Sequence, residues 1–332
     1  MPSHADFIET VPDIIGRFGF WPHSAPEPVA GGSLNWNFGV DAEGERLFVR
    51  RYRDGVTIER VRAEHALTGW VAERGIPAPV PFKTDAGESV LAMAGGLWAV
   101  HPWVDGVVRE RGSLTDEEAE LLGAAHGATQ AVLAEHPDSS NAALAMSWDN
   151  GESLEWLGRI IEVAEARNAE PWMLGGLHRQ LSMLRDWEVL PPDAFGSLPA
   201  QLLHGDFHDH QVLWDGDEIV AIVDWELCGP NPRSWELIRS LAFSQLLGTP
   251  GMEAYLAGYR RFIHLSEAEC RLGLRLWWQS RVVGLWAWAK YFLEGDERVA
   301  KFLPQVVTEL EHVADEGWRV GIEERFVRAA CG

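Results

Sequence analysis

The chain has 332 residues, 46% of them hydrophobic, so it can bury a substantial core and is not disordered. Its 28 Lys and Arg stand against 50 Asp and Glu, a formal charge of −22, which argues against nucleic acid or an anionic membrane surface as partner. Three cysteines without CxxC spacing suggest neither a disulfide framework nor a zinc site; with no basic-then-apolar leader and no eighteen-residue apolar run, a cytoplasmic protein is expected.

In chain order, Gly31-Gly32-Ser33 opens a segment running to Val40 between strand-like stretches. Such glycines make turns, and they also let backbone N–H groups approach phosphate oxygens. Arg46 to Arg53 reads as a strand with a basic end, with Phe48 and Arg50 on one face. Ile58 to Arg74 carries Val61, Leu67, Trp70 and Val71 at helical spacing, and Gly75, Pro77 and Pro79 stop it. Leu97 to Gly106 is a further strand that closes on glycine. Thr115-Asp116-Glu117-Glu118 is a capping box. It opens a helix through Leu121, Leu122, Ala125 and Val132, in which His126 is expected as a packed core residue. Residues 138–151 read as a loop, 153–168 and about 177–186 as helices, and Pro230 to Leu237 as a turn.

From Thr249 onward the pattern is helical, and four Trp and one Tyr fall within the fifteen residues Trp277 to Tyr291. Trp277 and Trp288, eleven residues apart, are expected on one helical face. Such rings fill a helical core. They can also receive a cationic or sugar ligand on their faces.

The densest chemistry is His204-Gly205-Asp206-Phe207-His208-Asp209-His210-Gln211, followed by Ile222-Val223-Asp224-Trp225-Glu226. A kinase catalytic loop has the form H-x-D-x-x-x-x-N, in which Asp takes the acceptor's hydroxyl proton and the amide holds a metal ion. Asp206 stands two residues after His204, and Gln211 stands five after Asp206. Val212-Leu213-Trp214, a turn at Asp215-Gly216-Asp217, and Glu218 to Val223 read as a hairpin. The hairpin is expected to return Asp224 beside the loop, so that Asp206 and Asp224 converge on one site. The competing reading makes both carboxylates ordinary turn residues.

On the segments His204–His208 and Val223–Glu226 the chain resembles the aminoglycoside phosphotransferase and choline kinase group of small-molecule kinases. That group includes type II homoserine kinases and maltokinase-like enzymes. Its usual loop reads HGDxHxxN, and its metal strand reads IDF or IDW before an acidic residue. Gln211 departs where Asn is usual, but keeps a carbonyl oxygen that can ligate a hard cation.

The resemblance implies a bilobal, protein-kinase-like α+β fold. Residues 1–102 would form a small antiparallel-sheet lobe that binds nucleotide. Residues 103–332 would form a mostly helical lobe with the catalytic loop, metal site and acceptor pocket. It also implies ATP and Mg²⁺, with Asp206 as catalytic base and with Gln211 and Asp224 on the metal. Gly31, Gly32 and Ser33 would cover the phosphates. Arg50, standing where kinases carry Lys, would contact them, with Arg51 as fallback. Glu64 would steady Arg50, with Glu59 and Glu73 as competitors. His101 and Trp103 would flank the adenine. His208, Glu226, Trp277 and Trp288 fall on the acceptor side, His204 would brace the loop, and Glu236 would anchor it.

The expected activity is transfer of the γ-phosphate to a hydroxyl of a small molecule: an amino sugar, sugar, amino alcohol or hydroxy amino acid. Two alternatives differ in class. One is a catalytically silent kinase-like binding protein, supported by Arg50 for Lys and Gln211 for Asn. The other is a metal-dependent phosphoesterase built on His204, Asp206, His208, Asp209 and His210, which would need a second ligand cluster that the sequence does not show. Oligomeric state, nucleotide base and acceptor are open at this level.

Overall fold

The structure, a computed structural model, describes residues 3–29, 35–142, 144 and 146–332. Gly31, Gly32 and Ser33 therefore lie outside the described residues. The contacts divide the chain into two compact units, Met1–Glu110 with Asp209–Cys228, and Arg111–His208 with Gly229–Gly332. A single boundary at residue 102 does not describe that grouping, because the stretch from Asp209 to Cys228 belongs with the N-terminal residues.

The first unit begins with helix α1 (Val11–Arg17), strands β1 (Glu27–Pro28), β2 (Trp36–Ala42) and β3 (Glu45–Arg51), helix α2 (Ile58–Ala72), and strands β4 (Leu91–Met93) and β5 (Gly96–Pro102). The strands form one antiparallel sheet in the order β1-β2-β3-β5-β4. Alternation along β3 sends Leu47 and Val49 into a core with Ile14, Phe38, Trp98 and Val100, while Phe48 and Arg50 share the opposite face. Thr57 caps α2 by accepting from the Arg60 N–H at 3.3 Å, and Gly75, at φ +85°, ends the turn that follows.

The chain then enters the second unit through α3 (Asp116–Ala134), α4 (Asn150–Ala166), α5 (Pro171–Asp186) and β6 (Ala200–Leu203). The capping box expected at Thr115 and Glu118 is present in both directions. Helix α5 starts six residues earlier than its apolar pattern suggests, because Pro171 is preorganised for a first helical turn. The first unit resumes with the expected hairpin, β7 (Val212–Asp215) and β8 (Glu218–Ile222), turned at Gly216 with φ +54°.

Strand β9 (Gly229–Pro232) returns to the second unit and pairs with β6, and α6 (Arg233–Phe243) follows at once. The turn expected over Pro230–Leu237 is thus a short strand running into a helix. Then come α7 (Gly251–Tyr259), α8 (Glu267–Val283), α9 (Trp286–Trp288), α10 (Leu303–Ala314) and α11 (Glu316–Cys331). Helices α3 and α7 approach closely through two glycines. A Cβ on Gly123 would sit 1.9 Å from the Tyr255 carbonyl oxygen, and one on Gly258 would sit 1.9 Å from that of Glu120. Among the described residues no helix is long and apolar enough to cross a membrane.

Candidate active site

In the second unit, β6 leads directly into the loop that carries Asp206. Gly205 adopts φ +87°, a shape that glycine takes at no steric cost, and its N–H donates to the Glu236 carboxylate on α6. Glu236 is fully buried. Its other oxygen meets the His126 ring at 3.2 Å and accepts from the Gln130 amide at 2.9 Å. Burial pushes the Glu236 carboxyl up, but His126, His204 and Gln130 more than offset it, so it stays ionised below its ordinary value. His126 stacks on Phe207 at 4.4 Å and touches the Tyr255 hydroxyl at 2.7 Å, which makes it the packed core residue expected. His204 braces the loop as read, accepting from the Asp206 N–H at 3.2 Å.

Asp206 projects from this frame with its side chain 18% exposed. It is ion-paired to Arg239 of α6, and the His208 ring lies 3.9 Å away. Desolvation raises its pKa, while Arg239 first, then His208 and His204, overcome that and hold the carboxyl below its ordinary range. Asp206 is therefore ionised at neutral pH. Arg239 is the residue that sequence reasoning missed. It lies three positions after Glu236, so a helix over this stretch was the signal that would have placed both on neighbouring ridges.

In the first unit, Arg50 donates from Nε to Asn37 Oδ1 at 3.3 Å and pairs through Nη1 with Asp224 Oδ1 at 3.1 Å. Burial works against its charge, but Asp224, Tyr52, Glu64 and Glu226 more than compensate, and its pKa is raised. Arg51 points the other way, stacked on Phe7 at 4.0 Å and Trp36 at 4.7 Å, which removes it as fallback. The expected pairing of Glu64 with Arg50 is not the contact formed. Arg50 takes Asp224, while Glu64, buried on α2, accepts from the Tyr52 hydroxyl at 3.3 Å. Burial pushes Glu64 up to about 7, and the nearby Arg50 charge pulls against that. Glu59 and Glu73 are both exposed.

Asp224 follows β8 in the left-handed region, φ +64° and ψ +56°, where a non-glycine residue is uncommon. The segment is held around it: Val223 N–H donates to the Gln211 carbonyl at 2.9 Å, Ile222 N–H to the Pro77 carbonyl at 2.6 Å, and Trp225 Nε1 to the Ile222 carbonyl at 2.9 Å. Backbone strain of this kind persists where surroundings over-determine it, often at functional positions. The Asp224 carboxylate is 37% exposed. Asp224 and Gln211 offer only oxygen side-chain donors, the donor set a hard divalent cation such as Mg²⁺ takes. Among the described residues no three His, Cys, Asp or Glu side chains are grouped as metal ligands.

The remaining expected residues divide by surroundings. His101 on β5 meets the Pro79 carbonyl at 3.1 Å, and burial lowers its pKa to about 4, so it is neutral. Trp103 carries the Arg46 guanidinium over its ring at 4.1 Å. Glu226 is tied within the first unit, paired with Arg53 and accepting from Asn35 at 2.7 Å, so both its oxygens have protein partners. His208 is buried and lies 5.7 Å from the Phe243 ring.

The one-face expectation for Trp277 and Trp288 fails, because α8 ends at Val283 and the two rings sit on different elements. Trp288 is fully covered and donates to Gln180 at 3.0 Å, a core residue. Trp277 is 2% exposed, with the Arg281 guanidinium 4.2 Å over its ring.

The chain belongs to the phosphotransferase enzyme family, whose sequence pattern matches residues 26–272. A homoserine kinase of Rhodopseudomonas palustris is 25% identical over 215 residues, 64% of this chain and 61% of that protein. The chain thus spans about three fifths of the length of three of the curated homoserine kinases it matches and 71% of a fourth. A spectinomycin phosphotransferase solved with ADP and spectinomycin has a TM-score of 0.60 at 13% identity, covering 97% of this chain and 98% of that one. An amicoumacin kinase solved with AMP-PNP and Ca²⁺ has a TM-score of 0.60 at 15% identity, covering 91% and 92%. These likenesses show the fold, which is the kinase-like α+β architecture expected.

Proposed function

We propose that this chain moves the γ-phosphoryl group of ATP to a hydroxyl of a small molecule. The observation that carries the reading is Asp206, which follows the His-Gly pair and is held ionised beside Arg239 on a loop anchored by buried Glu236. Asp206 orients the acceptor hydroxyl and takes its proton as the oxygen attacks the γ-phosphorus. Arg50 contacts the phosphates, and Glu64 adds negative charge near that cation. His101 and Trp103 are assigned to the base, Gly31, Gly32 and Ser33 to the phosphates, residues 1–102 to nucleotide binding, and residues 103–332 to the catalytic loop, the metal site and the acceptor pocket. Asp224 and Gln211 would hold Mg²⁺, which supplies positive charge to the phosphate oxygens. The protein's own contribution is placement and fixed charge rather than covalent chemistry.

Support comes from the family match, from the nucleotides present in the two solved relatives, and from the homoserine kinases among the curated ones. The cytoplasm, where ATP is supplied, is the proposed location. The test is ADP release across amino sugars, sugars, amino alcohols and hydroxy acids, with Asp206→Asn as control. Turnover that depends on an acceptor and collapses in the variant supports the reading; near-normal turnover in Asp206→Asn overturns it.

A further inference from the structure

The acceptor's charge can be argued from the second unit alone. Trp277 offers no open ring face to an acceptor cation, because it is buried and Arg281 lies over one side of it. On its other neighbours, Trp277 meets Phe243 at 6.3 Å and Trp235 at 6.4 Å, and Arg239 lies over Phe243 at 4.3 Å. Two guanidiniums therefore bracket one aromatic cluster, and Arg239 touches the proposed base. Each has a buried nitrogen with no hydrogen-bond partner, Nη1 of Arg239 and Nε of Arg281. Such donors are costly to leave unmade. Burial first, and then the neighbouring charge of Arg239, lower the pKa of Arg281, although Glu309 pairs with it at 3.3 Å. An anion beside Arg281 would relieve both its burial and the neighbouring positive charge.

Arg281 lines a cavity of about 420 Å³ with Trp235, Trp148, Trp156 and Ser280. That is a ligand-sized space, since small-molecule sites run roughly 300–1,000 Å³. Asp149 and Glu152 line it as well, but both are exposed, where solvent and salt screen them.

Resting on the phosphotransfer reading above, we propose that the acceptor carries a carboxylate seated by Arg281 and Arg239, so that the substrates are small hydroxy acids rather than amines or neutral sugars. Guanidinium forks match carboxylate geometry and give direction as well as charge. The acceptor oxygen bonds to the γ-phosphorus, the bond from that phosphorus to the β–γ bridging oxygen breaks, ADP leaves, and the hydroxyl proton goes to Asp206.

The experiment measures kcat and KM on matched acceptors that differ only in the anionic group: 4-hydroxybutyrate against 4-hydroxybutyramide, and homoserine against 3-amino-1-propanol. The acids are expected to exceed their uncharged or decarboxylated partners at least tenfold in kcat/KM. In Arg281→Gln that ratio should fall toward one, mainly through KM. A variant that merely loosens the fold would slow both members of a pair and leave their ratio intact. Should Arg281→Gln fail to fold, the wild-type ratios decide alone. Equal or better turnover of the amide and the amino alcohol overturns the proposal while leaving phosphotransfer standing. So does silence on all four acceptors with turnover of an amino sugar. Turnover that survives Asp206→Asn overturns the phosphotransfer reading itself.

Discussion

Asp206 and Asp224 are both carboxylates that follow a short strand segment, yet the chain holds them in different ways. Asp206 is 18% exposed, paired with Arg239, and its loop is pinned through Gly205 to Glu236, which is itself locked by His126 and Gln130. Asp224 is 37% exposed, meets one guanidinium, and owes its direction to a left-handed backbone position. A group that must abstract a proton gains from a fixed environment that sets its ionisation. A group that must take a ligand from solution gains from access, with its direction stored in the main chain instead.

The largest expected effects separate the two carboxylates by chemistry. Asp206→Asn should lower kcat by roughly 10²–10⁴-fold at any metal concentration. Asp224→Asn should lower it comparably at low Mg²⁺, with partial recovery as Mg²⁺ or Mn²⁺ is raised, because its loss acts through a ligand that mass action can restore. Equal metal dependence in both variants would dissolve the distinction. Next comes the anchor. Glu236→Ala strands the Gly205 N–H, the Gln130 amide and His126 in a buried site, and should destabilise the protein by about 3 kcal/mol in urea unfolding. A loss below about 1 kcal/mol would mean that the loop is not held as described.

Glu64 tests the other side. Its pKa rises from 4.5 to about 7, so across that window the folded state keeps a proton that the unfolded state releases. Stability then falls as pH rises from 4.5 to 7, by roughly 3 kcal/mol in all. Glu64→Gln removes that slope. Its unfolding free energy, measured without nucleotide or added metal, should match wild type near pH 4 and exceed it by up to this amount at pH 8. Buried His65, lowered to about 3, contributes the opposite slope below its ordinary value of 6.5, but it is common to both proteins and cancels in the difference. A difference that does not change with pH would mean that Glu64 is ionised throughout.

Legibility in the sequence followed locality. The hairpin from Val212 to Ile222, the Thr115 capping box and the sharing of one face by Phe48 and Arg50 were readable because each depends on residues close in the chain. Helix α6 was hidden, since Pro230 and Pro232 read as a turn, and with it went the adjacency of Glu236 and Arg239. The partner of Arg50 was hidden for another reason: Asp224 is 174 positions away, and no period in the sequence reports so distant a neighbour. The aromatic stretch misled because spacing assumes an unbroken helix, and α8 stops before Gly284-Leu285. What covers the Trp277 ring was likewise invisible, although Arg281 stands only four positions on along the same helix.

The smallest expected effect bears directly on how Asp206 is kept ionised. Its folded pKa is depressed, so the stability that its ionised form contributes is present above the ordinary carboxylate value and is lost as pH falls through the lower one. Arg239 is the largest of the influences that lower it, ahead of His208 and His204. Arg239→Met keeps much of the packing on Phe243 but deletes the charge, leaving burial opposed by the two histidines alone. The Asp206 pKa should then rise. The acid limb of kcat, measured at saturating acceptor so that weakened binding does not enter, should move up in pH by the same amount. An unmoved limb would show either that Asp206 is not the titrating base or that His208 sets its ionisation. Adding His208→Gln to the Arg239→Met background separates the two, because only in the second case does the limb then shift.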